Sequence, residues 1–431
     1  MQRSRWWLLP VLLAVMVVGG WVFGVRAKTN DRELPVYVTG AERMAAGEEI
    51  YRASADLKPF TYPPFAAVPF VPFAALPEPW QAPVWFGVNF LLLLAIVRWL
   101  HSWGRRDAPP DGPPRVVWFW VVTAVLGVHH VLSVFSNQSH DLLIAGAVAL
   151  TAAAWCRGNS LAGAWAGLGA AIKATPLLFL GLFALRGRIV AALALLIGVG
   201  ALVLVPDWWF PRNDGRWWVQ VWYDVNLRGL SVGGAAQGAS AWNAHSYLNQ
   251  SLSGTLTRLL TPVVAPGPFV DENAALVHLS PATAKWIAIV LQSGVLAVIA
   301  AGIRRAGRAV ANAADPAAMQ RTLGLGEVAA VACGMVLLSP QSSKSHFCVW
   351  IFPAAFLADR ILRSRRDMVA WVLVGAALVL GPLTGKDLVG RTVGIKLNAW
   401  GNVTWCTVLL LFATVRLLRG EPSAAPRSSP S

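Results

Sequence analysis

Charged residues are scarce in this sequence. They make up 13% of its 431 residues, whereas 56% are hydrophobic and the mean hydropathy is +0.54. A soluble chain carries about a quarter charged residues, so the composition excludes an ordinary soluble domain. Several apolar runs approach the roughly 20 residues that a helix needs to cross a bilayer, and they predict an all-α polytopic membrane protein. The runs are Trp6–Val25, Val84–Val97, Val116–Val134, Leu142–Trp155, Ile189–Val205, Trp286–Ile303, Val328–Leu338, Phe347–Leu357, Met368–Leu383 and Val403–Val415.

Cysteine is also rare. The four cysteines, Cys156, Cys333, Cys348 and Cys406, are scattered in or beside apolar runs and show no CxxC spacing. This pattern indicates neither a disulfide framework nor a metal site. We therefore expect no metal and no cofactor.

Acidic residues are fewer than basic ones, 21 against 36, which gives a net charge of +15. The arginines cluster in short connections between apolar runs, as at Arg105–Arg106, Arg304–Arg305 and Arg365–Arg366. Such placement follows the positive-inside rule and predicts that both termini are cytoplasmic. Because the basic residues form no continuous patch, we expect no nucleic-acid partner.

Alternating the spans gives about ten full crossings within one transmembrane domain at 1–420, followed by a disordered cytoplasmic tail at 421–431. The outer loops are expected at about 26–80 and 206–281. Leu161–Leu185 begins and ends at cytoplasmic arginines, but it is too short for two spans and is interrupted by Lys173 and Pro176. These features predict a broken re-entrant hairpin, since irregular backbone at membrane depth is tolerated beside protein or a wet cavity.

The stretch "KPFTYPPFAAVPFVPFAALP", Lys58 to Pro77, contains six prolines. This number disfavours a regular helix, while the apolar and aromatic residues between them disfavour a solvated loop. We expect this backbone to lie in the lipid interface before the second span. In that position Tyr62 would face a bound phosphate.

Polar residues near apolar runs fall mostly on the predicted outer side, where they indicate a site. Glu33 and Asp31 follow the first span, and either carboxylate is suited to act as a general base; the alternative is an interfacial carboxylate paired with a nearby basic side chain. His346 and Lys173 are suited to hold a phosphate. For His346 the alternative is a helix cap or packed side chain, and for Lys173 it is snorkelling.

Two "NQS" triplets, at Asn137–Ser139 and Asn249–Ser251, match glycosylation sequons. The amides are better explained as helix starts that face a polar cavity, where they offer donors and acceptors to sugar hydroxyls. The candidate sugar- or acceptor-binding residues are therefore the amides Asn137, Gln138, Asn249 and Gln250, together with Asp141.

At these residues the sequence resembles the polyprenol-phosphate-sugar-dependent glycosyltransferases of the GT-C fold, family 87. The resemblance rests on "ELPVYVTGAERMAAGEEIY" (Glu33, Tyr37, Gly47 and Tyr51), followed by "FTYPPFAAVPFVPFAALP", "NQSHDLL", "KATPLLFL", "NQSLSGTLTR" and "LLSPQSSKSHFCVW". The segments occur in the family's order and cover most of the chain.

The resemblance implies an inverting hexosyltransferase, with mannose the expected sugar, in a bacterial plasma membrane. The donor would be a polyprenyl-phosphate sugar and the acceptor a lipid or glycan at the outer face. Glu33 or Asp31 would be the base, and the leaving phosphate would be held by His346 together with Lys173, Lys344 or Arg391. Two alternatives remain open: a flippase for a lipid-linked sugar, and a structural membrane subunit.

Overall fold

The computed structural model describes residues 18–19, 21–22, 32–52, 58–106, 113–228, 233–234, 242–363 and 367–419. Most of the first predicted span, Asp31 and the predicted tail at 421–431 lie outside these residues. Within them the regular structure is helical, apart from one isolated antiparallel bridge between Ser246 and Val270. The α-helices are Leu34–Ala45, Val71–Ala74, Glu78–Gly104, Pro113–Asn137, Asp141–Cys156, Leu161–Ile172, Phe179–Leu185, Ile189–Trp209, Trp218–Trp222, Leu252–Leu260, Pro281–Ala311, Pro316–Leu338, Ile351–Arg363, Met368–Leu380, Lys386–Val389, Arg391–Ala399 and Asn402–Leu417.

The apolar helices confirm a multi-pass membrane protein, but they do not confirm ten crossings. Six helices in the described residues are long and apolar enough to span a bilayer, and a seventh span would come from Arg391–Ala399 and Asn402–Leu417, which meet at 60°. Other apolar helices are shorter, such as the 16-residue Asp141–Cys156. A helix rises about 1.5 Å per residue, so 16 residues reach only about 24 Å. The six are Glu78–Gly104, Arg115–Asn137, Ile189–Trp209, Pro281–Ala311, Pro316–Leu338 and Lys344–Arg363.

Basic side chains gather at one end of the helices, around two buried aspartates, Asp359 and Asp367. The arginine partners are Arg106, Arg115 and Arg363 for the first aspartate and Arg416 and Arg419 for the second. Arg106, from one of the predicted clusters, thus lies together with arginines from other connections around these two aspartates. This end is called the basic end below.

The segment Leu161–Leu185 is broken where the sequence predicted. The Leu161–Ile172 helix stops at Lys173, whose backbone is extended at φ −151° and ψ 122°, and a 3-10 turn at Thr175–Leu178 leads into Phe179–Leu185. Pro176 has no N–H for a continuing α-helix, whereas the first turn of a new helix tolerates it. The break makes Lys173 the C-cap of the first helix, where its N–H still donates to the Gly169 carbonyl at 2.9 Å.

The expectation of non-helical backbone in the proline-rich stretch is wrong for its middle. Pro64–Phe70 forms a 3-10 helix that continues into the α-helix Val71–Ala74. Pro64 and Pro72 lie in the first turns of these two segments, where no intrahelical donor is needed. The prolines therefore divide the stretch into short helical segments, but they do not exclude helical backbone.

Small residues bring the Leu161–Ile172 and Ile189–Trp209 helices into close contact. Gly163 faces the backbone of Ala191, and a Cβ atom added at Gly163 would lie 1.9 Å from the Ala191 carbonyl oxygen. Gly167 similarly faces Leu195, whose carbonyl oxygen would lie 2.9 Å from an added Cβ. Such close backbone approach is the usual packing mode of helices in lipid.

We predict that Gly163→Ala lowers the free energy of unfolding by about 1–3 kcal/mol, because the added methyl group forces the two backbones apart. Gly200→Ala is the matched control, since nothing lies within 4 Å of a Cβ at that position. Thermal unfolding in detergent, followed by tryptophan fluorescence, measures both. Equal melting temperatures for the two variants would contradict this packing.

Candidate active site

A cavity of about 250 Å³ lies among the ends of several helices and the connections between them. Glu33, Tyr62, Lys173 and His346 all line it, although they come from four separate segments of the sequence. The other lining residues are Val36, Tyr37, Lys58, Pro59, Thr61, Pro63, Ala174, Thr175, Trp222, Val225, Asn226, Leu227, Trp242, Ser339, Pro340 and Gln341. The structure thus brings together four of the polar residues that the sequence predicted for one site.

The cavity lies at the opposite end of the helices from the basic end. The Pro113–Asn137 helix has Arg115 near its first turn, whereas its last residue, Asn137, accepts a hydrogen bond from the Glu33 backbone N–H at 3.0 Å. Likewise, the candidate span Lys344–Arg363 begins beside His346 and ends at Arg363. These two helices therefore separate the cavity from the arginines by their own length.

Glu33 is held by its own helix. It is the N-cap of Leu34–Ala45, and the Tyr37 hydroxyl donates a hydrogen bond to its Oε2 atom. Residues four apart lie on one face of a helix, so this pair follows directly from the sequence spacing. Tyr37 was not among the predicted site residues, although its i+4 position relative to Glu33 was the available signal. With Oε2 occupied, Oε1 is the oxygen left for a substrate.

Burial raises the pKa of Glu33 above 4.5, its ordinary value, and the nearby carboxylate of Asp141 adds to this effect. The hydrogen bond from Tyr37 and the charges of Lys58 and Lys173 act in the opposite direction. Desolvation disfavours a charged carboxylate and makes it a stronger base when ionised. Glu33 therefore combines a cavity position with the proton affinity that a general base requires.

Asp141 is an ion-pair partner for Lys173. The Lys173 Nζ atom donates to Asp141 Oδ1 at 2.8 Å, and the Ser139 hydroxyl donates to Asp141 Oδ2 at 2.8 Å. Asp141 begins the Asp141–Cys156 helix, while Lys173 comes from the break before the 3-10 turn. Asp141 is 3% exposed and lies behind Lys173, so its carboxylate holds the ammonium group at the cavity wall.

His346 is oriented by a backbone hydrogen bond. The Ser343 N–H donates to His346 Nδ1 at 3.2 Å, which leaves Nε2 to carry the proton of the neutral ring. The Nε2 atom lies 4.0 Å from Asp141 Oδ2. This arrangement makes His346 a neutral hydrogen-bond donor beside the cationic Lys173.

Aromatic rings support the wall around Tyr62. The Lys173 ammonium lies 5.8 Å from the Tyr62 ring centroid, and the Tyr51 hydroxyl donates to the Tyr62 carbonyl at 3.2 Å. The buried His140 ring packs edge-on against Tyr37 at 4.8 Å and Tyr62 at 4.3 Å between centroids. These contacts fix both tyrosines relative to Glu33.

Two of the predicted phosphate-binding cations do not line this cavity. Lys344 lies on another side of the same turn as His346, in a small pocket with His129, His130 and Asn402. Arg391 is exposed at the start of the Arg391–Ala399 helix. The sequence spacing did not reveal that Lys344 and His346 point in different directions.

The predicted amides also lie elsewhere. Asn249 is buried, accepts from the backbone N–H of Ser342 at 3.0 Å and donates to the Pro340 carbonyl at 3.0 Å. Gln250 is buried too, and its side chain donates to the carbonyls of Tyr247 and Asn398. Asn249 therefore supports the Ser339–Gln341 wall from behind, whereas the Gln250 side chain connects two other segments.

The first amide pair likewise shapes the cavity without lining it. Asn137 contributes its carbonyl to Glu33, and its side-chain amide lies 3.4 Å from the Ser133 hydroxyl. Gln138 adopts a left-handed backbone at φ 53°, and its carbonyl accepts from Trp85 Nε1 at 3.0 Å. This turn connects the Pro113–Asn137 helix to Asp141.

Fold and cavity together define a class, a multi-pass helical membrane protein whose cavity combines a basic carboxylate with a lysine and a histidine suited to an anionic leaving group. The sequence profile of Glycosyltransferase family 87 matches residues 60–340, and the chain belongs to this family. The protein is thus a glycosyltransferase. The matched range includes Tyr62, Asp141 and Lys173, whereas Glu33 and His346 lie outside it.

Characterised relatives carry specific names. The chain is 28% identical to a polyprenol-phosphate-mannose-dependent alpha-(1-2)-phosphatidylinositol mannoside mannosyltransferase of Mycobacterium tuberculosis, over 95% of this chain and 91% of the relative. It is also 28% identical to a polyprenol-phosphate-mannose-dependent alpha-(1-2)-phosphatidylinositol pentamannoside mannosyltransferase of Mycolicibacterium smegmatis, over 96% of this chain and 84% of that relative. No solved structure matches the chain significantly.

We predict that Lys173→Met destabilises the protein by about 3–5 kcal/mol, because the Asp141 carboxylate is left buried without its cation. Adding Asp141→Asn should recover part of this loss, since the double variant buries no unpaired charge. Arg391→Met is the control for loss of an exposed cation. Thermal unfolding in detergent measures these variants together with the Asp141→Asn single variant, and strictly additive effects of the two cavity substitutions would contradict the pair.

Proposed function

We propose that the protein transfers mannose from a polyprenyl-phosphate mannose donor to a lipid or glycan acceptor at the outer face of the membrane, with inversion at the anomeric carbon. One observation carries the proposal: Glu33 shares its cavity with Lys173 and His346. A donor and an acceptor bound together in this cavity would thus contact both a general base and two side chains that can stabilise an anionic leaving group.

In this reaction the acceptor hydroxyl gives its proton to Glu33 Oε1 as its oxygen attacks the anomeric carbon. The bond between that carbon and the phosphate oxygen breaks, and the polyprenyl phosphate leaves with the electron pair. Lys173 and the Nε2–H of His346 stabilise the charge that develops on the leaving oxygen. Asp141 offsets part of the positive charge of Lys173. The polyprenyl phosphate product, which is more negatively charged than the donor, is therefore bound less tightly and can dissociate.

The proposed outer location is supported by the charge distribution. The arginine-rich basic end is expected to be cytoplasmic by the positive-inside rule, and the cavity lies at the other end of the same helices. The polyprenyl chain is assigned to the flank beside Tyr62, where Phe65, Val68 and Val71 are only partly buried. A lipid tail can cover such apolar side chains at the membrane interface.

We expect Glu33→Gln to lower kcat for mannosyl transfer by about 10²–10⁴-fold, because the amide cannot accept the acceptor proton. Glu272→Gln, an exposed substitution in another outer loop, is the control and should leave kcat unchanged. Purified protein in detergent with radiolabelled polyprenyl-phosphate mannose and a phosphatidylinositol mannoside gives the rates. The assignment fails if Glu33→Gln keeps full activity, or if Asp31→Asn abolishes transfer while Glu33→Gln does not.

The pH dependence of the transfer rate tests the protonation state of the Glu33 carboxyl group. The base must be ionised, so the rate should fall as the pH drops through a pKa above 4.5. Asp141, Lys58, Lys173 and Tyr37 all influence this carboxyl group. Because the Tyr37 hydrogen bond lowers the Glu33 pKa, Tyr37→Phe should shift the acidic limb to higher pH.

Tyr51→Phe is the matched control for this profile, since its hydroxyl donates to the Tyr62 carbonyl and not to Glu33. Rates measured from pH 4 to pH 9 with saturating donor separate the limb position from overall activity. A Tyr37→Phe profile with an unshifted or lower acidic limb would show that the hydroxyl does not act on the base.

A further inference from the structure

A second, open groove lies between two outer segments, beside the cavity described above. It measures about 420 Å³ and is lined by Glu48, Glu49 and Arg52 from the first segment and by Arg212, Asp214 and Arg216 from the second. Pockets for small ligands in proteins typically enclose about 300–1,000 Å³. The groove is therefore large enough for one or two sugar rings.

Arg212 forms the centre of the groove. Its guanidinium pairs with Glu49 at 3.0 Å and with Asp214 at 2.6 Å, and it lies 4.7 Å from the Trp218 ring centroid. The residue is 8% exposed, and its Nη1 atom has no hydrogen-bond partner within the part of the chain that the structure describes. A buried donor without a partner costs about 1–3 kcal/mol, and the Nη2 atom of the same guanidinium holds Glu49 and Asp214 in place.

The charges of the groove balance. Three arginines stand against three acidic residues, Glu48, Glu49 and Asp214, which gives a net charge of zero and disfavours a strongly anionic or cationic ligand. Paired carboxylates and guanidiniums instead offer many acceptors and donors at fixed positions. A neutral molecule rich in hydroxyl groups, such as a saccharide, matches this surface.

The groove and the cavity are connected through Tyr51. The Tyr51 backbone N–H donates to Glu49 Oε1 at 2.9 Å, and its hydroxyl donates to the carbonyl of Tyr62, which lines the cavity. The backbone also ties the two segments together, because the Asn213 N–H donates to the Gly47 carbonyl at 3.0 Å. One side chain thus separates a groove suited to hydroxyl groups from the cavity that contains Glu33.

We propose that this groove is an acceptor subsite, which binds a saccharide unit of a glycan-bearing acceptor behind the sugar that receives the mannose. The inference rests on the proposed function, since it places the receiving hydroxyl at Glu33. The other sugars of the acceptor glycan then extend from the cavity across Tyr51 to Arg212. The protein then selects acceptors by the length of their glycan as well as by their lipid.

The test compares acceptors of different glycan length in the full-length protein. The variant is the double substitution Glu48→Gln with Arg216→Gln, which changes two exposed groove residues and leaves Arg212 in place. With a phosphatidylinositol pentamannoside acceptor, KM should rise about tenfold, equivalent to about 1.4 kcal/mol. With a monomannoside acceptor, KM and kcat should stay at wild-type values. Glu272→Gln is the matched control.

Equal KM changes for both acceptors, or no change for either, would overturn the subsite. A separate measurement distinguishes failure of the subsite from failure of the proposed function. If the wild type transfers mannose to neither acceptor, the proposed function fails, and calorimetric binding of soluble mannopentaose still tests the groove. Loss of binding in the double variant supports a saccharide site, whereas unchanged binding, or displacement of the saccharide by inorganic phosphate, overturns it.

Discussion

The ion pair between Asp141 and Lys173 is the interaction on which the cavity depends. It joins the start of the Asp141–Cys156 helix to the break after Ile172, and both partners are largely shielded from solvent. Removing either partner would leave an isolated charge at low dielectric, so the two segments are held in register. The same carboxylate faces His346 at 4.0 Å. The buried acid thereby holds Lys173 in place, whereas the Ser343 N–H orients His346.

A second set of contacts makes the cavity wall rigid. The buried Arg258 donates to the carbonyls of Ser246, Asn249 and Ala399. Asn249 in turn caps the stretch that runs from Pro340 to Ser342, so the wall near Gln341 is built from three distant parts of the chain. A buried guanidinium that donates to backbone carbonyls satisfies groups that would otherwise be orphaned. These polar residues act on the cavity through the backbone that they support.

The sequence predicted the helical membrane class and the break at Lys173, because hydropathy and proline act locally. Through their motifs and their expected side of the membrane it also grouped Glu33, Tyr62, Lys173 and His346, which line one cavity. Lys344 and Arg391 were grouped with them but do not line it. The partner of Lys173 is 32 residues away, and no local pattern reports such a contact. Lys344 and His346 are two residues apart and face different pockets, since the tight turn between Ser343 and Trp350 determines their directions. The number of crossings depends on packing and tilt, which hydropathy alone does not define.

The hydrogen bond from Trp222 Nε1 to the Thr61 carbonyl, at 3.1 Å, joins two distant segments of the chain at the cavity, which both residues line. The Asn213 N–H, bonded to the Gly47 carbonyl, joins two segments nearby. Phe65 and Val68, in contrast, present partly buried apolar side chains. On the proposed function, a lipid donor then arrives sideways, by diffusion within the bilayer plane. The enzyme is in that case saturated according to the mole fraction of donor in the membrane. Adding inert lipid therefore slows the enzyme, even when the amount of donor per volume of sample is constant.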